Sequence, residues 1–205
     1  MKKLTFILAA LMLSLTLVTS CGVTNASSGY VHGTLTENGF ESDWLGFEFV
    51  PTENLVMASE AEIEELMDMS ADLLYTDEKT GKEIIDWAKV TTAYEMMATD
   101  ITTQSNVIVM AEKLSLSNTT IEQYVEALKS QMGTQLDVSA TYGELSEATV
   151  AGEKYTRFDY TISAYGIEVD QSMFLRKLDD RMVAICITAT GEAEVEAFVA
   201  CFKGK

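Results

Sequence analysis

Histidine, proline and positive charge are scarce in this 205-residue chain. The one histidine, His32, stands in a stretch rich in Gly, Ser, Asn and Thr that reads as solvated surface. A Ser-His-Asp triad, a Cys-His pair or a two-histidine metal site therefore has no histidine to build on. No G-x-S-x-G nucleophile turn occurs either. Lys and Arg total 14 against 32 Asp and Glu, for a formal net charge of -18. Phosphate backbones need a basic surface, so this charge excludes nucleic acid as a partner. The bland account of the acidity is solubility by self-repulsion. The stretch Asp77-Glu78-Lys79-Thr80-Gly81 only superficially suggests a calcium loop. Lysine occupies its third position and its glycine is misplaced.

The N-terminus reads as an address. Lys2 and Lys3 precede an apolar run from Leu4 to Val18, followed by Thr19-Ser20-Cys21-Gly22. A charged start, an apolar core and small residues before a break describe a secretory signal peptide over residues 1–20. The run is near the lower limit for a membrane span. Val18-Thr19-Ser20-Cys21 also matches the bacterial lipobox. Proteins with that pattern are diacylated on the cysteine sulfur and cleaved just before it, so Cys21 becomes the first residue. Two acyl chains give stable anchoring to a bilayer. The expected place is the extracytoplasmic face of a bacterial cell membrane. Losing Lys2 and Lys3 with the signal makes the mature chain still more acidic. Residues 21–40 then read as a flexible tether and residues 41–205 as one globular domain.

Within that domain the longest legible stretch is Tyr155 to Ala189. Thr156, Phe158, Tyr160 and Ile162 alternate with Tyr155, Arg157, Asp159 and Thr161, the period of a strand. A two-residue turn at Tyr165-Gly166 places Ile162 opposite Val169, Tyr160 opposite Gln171 and Phe158 opposite Met173. A second turn at Asp179-Asp180 places Phe174 opposite Ile185 and Met173 opposite Cys186. The third strand, Met182 to Ile187, is apolar on both faces, which predicts a sheet covered by helices on both sides. Earlier, Trp44 to Val50 reads as a strand stopped by Pro51, with Asn54 to Ala58 as a short partner. Ser59-Glu60-Ala61-Glu62 is a capping box opening a helix with Ile63, Leu66, Met67 and Leu74 inward. Glu83 to Val90 is ambiguous, with a short helix as one reading.

Thr91 to Thr99 and Asn106 to Leu114 read as an antiparallel pair. Thr119-Thr120-Ile121-Glu122 is a second capping box, and Ile121, Tyr124, Val125, Leu128 and Met132 form the core stripe of a helix ended by Gly133. Leu136 to Tyr142 reads as strand or loop. Glu192 to Phe202 reads as a last helix, with Lys203 and Lys205 at its negative end. The fold class is thus α+β: an antiparallel sheet with a C-terminal three-strand meander, flanked by helices.

Few residues stand out as sites. Cys186 on the third meander strand and Cys201 on the last helix either pair as a disulfide, which export permits, or stay free and buried. Neither has a histidine base for catalysis. Methionines such as Met67, Met69, Met96 and Met97 follow apolar periods and read as core, not as a copper site. Arg157 and Arg176 share the polar meander face. They serve either as contacts for an anionic group on a partner or as members of a local ion-pair network. No cofactor or metal is implied.

The order of elements resembles the PsbP-like family. The pieces that carry the resemblance are Trp44-Leu45-Gly46-Phe47-Glu48-Phe49-Val50-Pro51, Asn106-Val107-Ile108-Val109-Met110 running into Thr119-Thr120-Ile121-Glu122-Gln123-Tyr124, and Val150-Ala151-Gly152-Glu153-Lys154-Tyr155. The resemblance implies an α/β/α sandwich and a binding or assembly role, as in photosystem II accessory subunits, a Ran-binding factor and bacterial lipoproteins. The expectation for this chain is a lipid-anchored, non-catalytic module that binds or scaffolds a protein of the cell envelope. The alternative is a small-ligand or cation-binding lipoprotein with a pocket between sheet and helix.

Overall fold

The computed structural model describes residues 29–65, 91–135, 139–164 and 167–205. The signal peptide, Cys21, Leu66, Met67, Leu74, the 77–81 turn, the 83–90 segment, Leu136 and the Tyr165-Gly166 turn lie outside the described residues. The chain is α+β and mostly antiparallel sheet.

Two sheets form. The larger contains β4 (Leu55–Met57), β5 (Thr92–Asp100), β6 (Asn106–Lys113), β7 (Ser139–Tyr142), β8 (Ser146–Val150), β9 (Glu153–Ala164), β10 (Ile167–Leu178) and β11 (Arg181–Thr188). Its strand order is β4-β5-β6-β11-β10-β9-β7, with β8 also pairing β9. The smaller, in order β1-β2-β3-β12, is built from β1 (Thr34–Thr36), β2 (Gly39–Ser42), β3 (Phe47–Phe49) and β12 (Phe202–Gly204). The described helices include α1 (Ile121–Gln135) and α2 (Glu192–Val199).

The register of the long strands follows their side-chain alternation. Ile162 lies opposite Val169, Tyr160 opposite Gln171 and Phe158 opposite Met173. Phe174 lies opposite Ile185 and Met173 opposite Cys186. A slip by one residue would turn every apolar side chain of β9 to the wrong face, so the pattern holds the pairing. β11 is central, between β6 and β10, and is buried from Met182 onward.

One face of the large sheet carries Met97, Ile108, Phe158, Tyr160, Met173, Leu175, Met182 and Cys186. Tyr124, Val125, Leu128 and Met132 of α1 cover it, together with Ile63. Each such aliphatic side chain contributes roughly 1.5–3 kcal/mol on full burial. Ile63 belongs to the helical segment 60–65, which the Ser59 box opens. Ser59 N–H donates to Glu62 Oε2 at 2.8 Å and Glu62 N–H donates to Ser59 Oγ at 3.3 Å. The cap of α1 falls one residue later than its sequence suggests. Thr120 N–H donates to Gln123 Oε1 at 3.0 Å and Gln123 N–H to Thr120 Oγ1 at 3.3 Å, so Thr120 and Gln123 form the box. The helix also runs past Gly133 to Gln135.

The opposite face carries Met96, Val107, Val109, Phe174, Val183, Ile185 and Ile187. Helices alone do not cover it. The small sheet presents Phe40, Phe47, Phe49 and Phe202 to it, and α2 adds Val195 and Phe198. The Phe202 ring meets those of Phe47 and Phe49 edge-on, with centroids at 5.1 and 4.9 Å. The small sheet corrects one pairing and two boundaries. β4, within Asn54 to Ala58, pairs with β5 of the large sheet and not with β3, whose neighbours are β2 and β12. The stretch 21–40 does not stay a tether to its end, because β1 and the first residues of β2 lie in it and Phe40 is 2% exposed. The last helix stops at Val199, and Lys203 lies in β12 opposite Glu48. Gly39 is required where the small sheet turns. Its φ is +138°, and a Cβ there would meet the Phe49 carbonyl oxygen at 2.0 Å.

Candidate functional site

The alternation of β9 puts Arg157, Asp159 and Thr161 on the face that the small sheet only partly covers. Cross-strand pairing sets Ser172 of β10 beside Asp159 and Asp170 beside Thr161. Arg157 is the centre of a network. Its Nη1 and Nη2 donate to the two carboxylate oxygens of Glu192, each at 2.6 Å, the bidentate fork that suits guanidinium. Its Nε donates to Asp159 Oδ1 at 2.8 Å, and Nη2 also donates to Ser172 Oγ at 3.1 Å. Ser172 Oγ–H in turn donates to Asp159 Oδ1 at 2.6 Å, and Thr161 Oγ1 donates to Asp170 Oδ1 at 2.7 Å.

Glu192 is the first residue of α2, where the helix dipole favours an acid. Its hydrogen bonds to Arg157 hold its carboxyl below the usual carboxylate range. Burial opposes this, and the same pairing raises Arg157. The ion pair therefore ties the meander to the last helix. Beside it lies a cleft of about 230 Å³, lined by Asp159, Thr161, Asp170, Ser172, Gly191 and Glu192 among others. Three carboxylates surround one arginine, so the cleft is acidic.

Arg176 is engaged separately. Its Nη2 lies 2.9 Å from Glu153 Oε2, and its guanidinium stands 5.8 Å from the centre of the Tyr155 ring. The structure thus gives each of the two arginines its own carboxylate partner.

The two cysteines do not meet. Cys186 projects into the core beneath α1, whereas Cys201 packs in the core on the other face. Both are free. β11 alternates, so Cys186 points away from the side on which α2 folds back. Burial pushes the Cys186 thiol up to about 12 and raises that of Cys201, which makes both poor nucleophiles.

A second cluster, for which no site was expected from the sequence, stands on β5, two strands from β11 and level with Ile185. Glu95 is the extra residue where the β5–β6 register shifts between Tyr94 and Met96, a β-bulge. Its side chain is fully buried. Tyr30 Oη–H donates to Glu95 Oε1 at 2.7 Å and Gly33 N–H donates to Glu95 Oε2 at 2.8 Å. His32 Nδ1 lies 3.5 Å from the same carboxylate. The Tyr30 ring is held on two sides. The Arg181 guanidinium stands 3.8 Å from its centre, and the Trp44 ring meets it edge-on at 5.0 Å. Burial, then the bond to Glu95, raises the Tyr30 phenol far above its ordinary value. Gly33 is pressed against Phe40, where a Cβ would come within 2.2 Å of the ring. The signal for the cluster was present in Tyr94-Glu95-Met96-Met97. An acid within an apolar strand, followed by two adjacent apolar residues, marks a broken alternation.

Next to this cluster is a cleft of about 470 Å³ lined by Gly29, His32, Glu41, Asp43, Trp44 and Lys205 among others. Lys205 Nζ pairs with Asp43 at 2.7 Å and Glu41 at 3.0 Å. Among the described residues, no group of three or more His, Cys, Asp or Glu side chains is placed to hold a metal ion. No helix among them is long and apolar enough to cross a membrane.

No family model matches the chain, and no characterised protein matches it in sequence. Among solved structures, the chain is similar to the solution structure of cyanobacterial PsbP (CyanoP) from Synechocystis sp. PCC 6803. The identity is 10%, the match covers 93% of this chain and 100% of that one, and the TM-score is 0.47. The likeness lies in the arrangement of strands and helices, and no residue role is carried over from it.

Proposed function

We propose that this chain is a membrane-anchored extracytoplasmic lipoprotein of the bacterial cell envelope that binds or scaffolds a protein partner without catalysing a reaction. Its finer architecture belongs to the same reading, a PsbP-like sandwich ending in the β9–β10–β11 meander. The anchor is the acylated Cys21 of the lipobox. The observation that carries the binding role is the open polar ledge over β9 and β10. There Arg157, Asp159, Thr161, Asp170, Ser172 and Glu192 are bonded to one another and held rigidly at a surface. Pre-ordered, paired polar groups of this kind suit the polar part of a protein interface, where fixed partners lower the cost of association. Ser172 Oγ is bonded to Asp159 and Arg157 and has no imidazole beside it. The single histidine, His32, lies against Glu95 instead.

A second reading, a lipoprotein that binds a small ligand or organic cation rather than a metal ion, is favoured by one observation. The cleft between sheet and α2 collects Asp159, Asp170 and Glu192. That cleft is open and polar, whereas small-ligand sites are mostly enclosed and apolar. Crosslinking on intact cells separates the two readings. Tagged wild-type chain and Cys21→Ser are recovered and their partners compared. A specific envelope protein joined to the anchored form, and lost in Asp159→Arg, supports scaffolding. Absence of any specific crosslink in both forms removes that reading.

A further inference from the structure

The 29–33 segment is fastened more firmly than a tether needs. Three separate parts of the fold hold it: buried Glu95 of β5, Arg181 at the start of β11, and Trp44. Trp44 is itself fixed, its Nε1–H donating to Asp179 Oδ2 at 3.3 Å in the β10–β11 turn. Among the described residues, the hydrogen-bond and ionic partners of the Glu95 carboxylate all come from this segment. A buried carboxylate without partners is strongly disfavoured, so the segment and Glu95 hold each other in place.

From this we propose that residues 29–33 are a strap that fixes the reach and the facing of the anchored domain relative to a lipid surface. The inference rests on the reading of Cys21 as the lipid anchor. With the strap fastened, eight residue steps separate Cys21 from Gly29, a reach of at most about 29 Å. With a tether extending to residue 40, the reach would be roughly 65 Å. A domain of this length has a breadth on the order of 40 Å, as its expected radius of gyration implies. The fastened reach is shorter than that breadth, so the domain cannot turn its strap end to the side far from the bilayer.

The strap meets β11 at Arg181, and the Arg157 cleft is lined by Ala189, just past the last residue of the same strand. Glu95 and Arg157 both lie level with Ile185 but four strands apart, roughly 19 Å. Along β11 the cleft at Gly29 and Trp44 lies toward the Asp179 end and the Arg157 cleft toward the Ala189 end. The closed strap turns the cleft of about 470 Å³ at Gly29, Asp43 and Trp44 toward the lipid surface and the Arg157 ledge away from it. A partner would then meet the ledge from the side opposite the membrane.

The test uses full-length protein purified from membranes, with its mass read first for acyl groups on Cys21. Two single-cysteine labelling sites are compared in separate proteins, Asp43→Cys beside the strap and Ala193→Cys beside the ledge. Both positions are exposed, whereas the native Cys186 and Cys201 are buried. Each dye-labelled protein is placed in phosphatidylcholine vesicles carrying a headgroup acceptor, and energy transfer is measured. The expected result is several-fold greater transfer from position 43 than from position 193, with the difference shrinking in Tyr30→Ala. The comparison of the two dye positions needs no destabilised variant. Equal transfer from both positions in the acylated protein with its strap intact overturns the proposal while leaving the anchor in place. A chain with no acyl groups on Cys21 overturns the anchor reading, and the proposal with it, before any transfer is measured.

Discussion

The two faces of the large sheet are closed in different ways. One is covered by a continuous amphipathic helix, α1, whose Tyr124, Val125, Leu128 and Met132 fall on one stripe. The other is covered by pieces drawn from both ends of the chain: β1 and β2 near residue 40, β3, α2, and β12 at the C-terminus. Most of the helical cover among the described residues comes from one local segment, α1, with Ile63 added from the 60–65 helix. The opposite cover forms only when residues more than 150 positions apart pair, as Phe202 does with Phe49. Among the described residues, the ion pairs that join distant elements lie on this second face, whereas on the helical face α1 is tied to β6 by Tyr124 Oη–H, which donates to Glu112 Oε2 at 2.7 Å. Arg157 joins the sheet to α2, Lys205 joins the last strand to Glu41 and Asp43, and Glu95 joins the sheet to the strap. A cover assembled from distant pieces has less local helix or hairpin structure to hold it, so cross-links between the pieces matter more.

The largest effect is expected from removing a ring of the patchwork cover. Phe47 is 1% exposed, and Phe47→Ala should cost about 3–5 kcal/mol. Leu128→Ala on the helical cover should cost about 2–5 kcal/mol. Both are read from chemical denaturation followed by circular dichroism. If the two covers belong to one cooperative unit, each variant lowers a single transition. A two-step melt in Phe47→Ala alone would show that the small sheet unfolds on its own.

Next comes the buried acid. Glu95→Ala leaves the Tyr30 hydroxyl and the Gly33 amide without their acceptor and should cost about 1–3 kcal/mol. Hydrogen exchange should show the Gly33 amide losing protection in that variant while the α1 amides keep theirs. Unchanged exchange at Gly33 would mean that the strap is held by packing on Phe40 and Trp44 instead.

A smaller effect is expected at Glu192. Its folded carboxyl is lowered by Arg157, so its contribution is fully present above the ordinary range near 4.3. That contribution is lost as pH falls through the lowered value. The melting temperature of wild type should therefore drop more steeply than that of Glu192→Gln between about pH 5 and pH 3. The side chain is 57% exposed, so solvent screening keeps the difference below about 1 kcal/mol. Parallel pH profiles would assign the acid sensitivity to other groups, such as Glu194, whose carboxyl Ser105 lowers.

The smallest effect is none at all. In the Cys21→Ser chain a thiol reductant should leave the melting temperature unchanged. Iodoacetamide should label Cys186 and Cys201 only after unfolding.

Much of the sheet could be read from residue order because its signals are local. Phe158, Tyr160 and Ile162 alternate without a break, and their partners Met173, Gln171 and Val169 follow one short turn away. The Ser59-x-x-Glu62 box and the α1 stripe are equally local. The cap at Thr120 was misplaced by one residue because Thr119 and Glu122 offer the same spacing as Thr120 and Gln123. Of the small sheet only β3 was legible, within the Trp44 to Val50 strand; β1, β2 and β12 were hidden because three or four residues are too few to show a period. β8 was hidden because Ser146 to Val150 is mostly polar and gains its order from pairing with β9. Arg157 was recognisable as a member of an ion-pair network, but its partner Glu192 lies 35 residues away on another element. The bulge at Glu95 was visible only as a break in alternation, and its meaning came from Tyr30 and Gly33, in a stretch whose composition suggests a tether.

The most direct test concerns where the fold begins. Two chains lacking the signal are compared by thermal melting, one starting at Gly29 and one starting at Glu41. The shorter chain loses Tyr30, Gly33, β1 and Phe40, and leaves Glu95 buried without its partners. The account predicts a single transition for both, lower in the shorter chain by roughly 6–20 °C, the shift that a loss of about 3–5 kcal/mol gives at this size. Equal melting temperatures would contradict it, and would return residues 29–40 to the role of a simple tether.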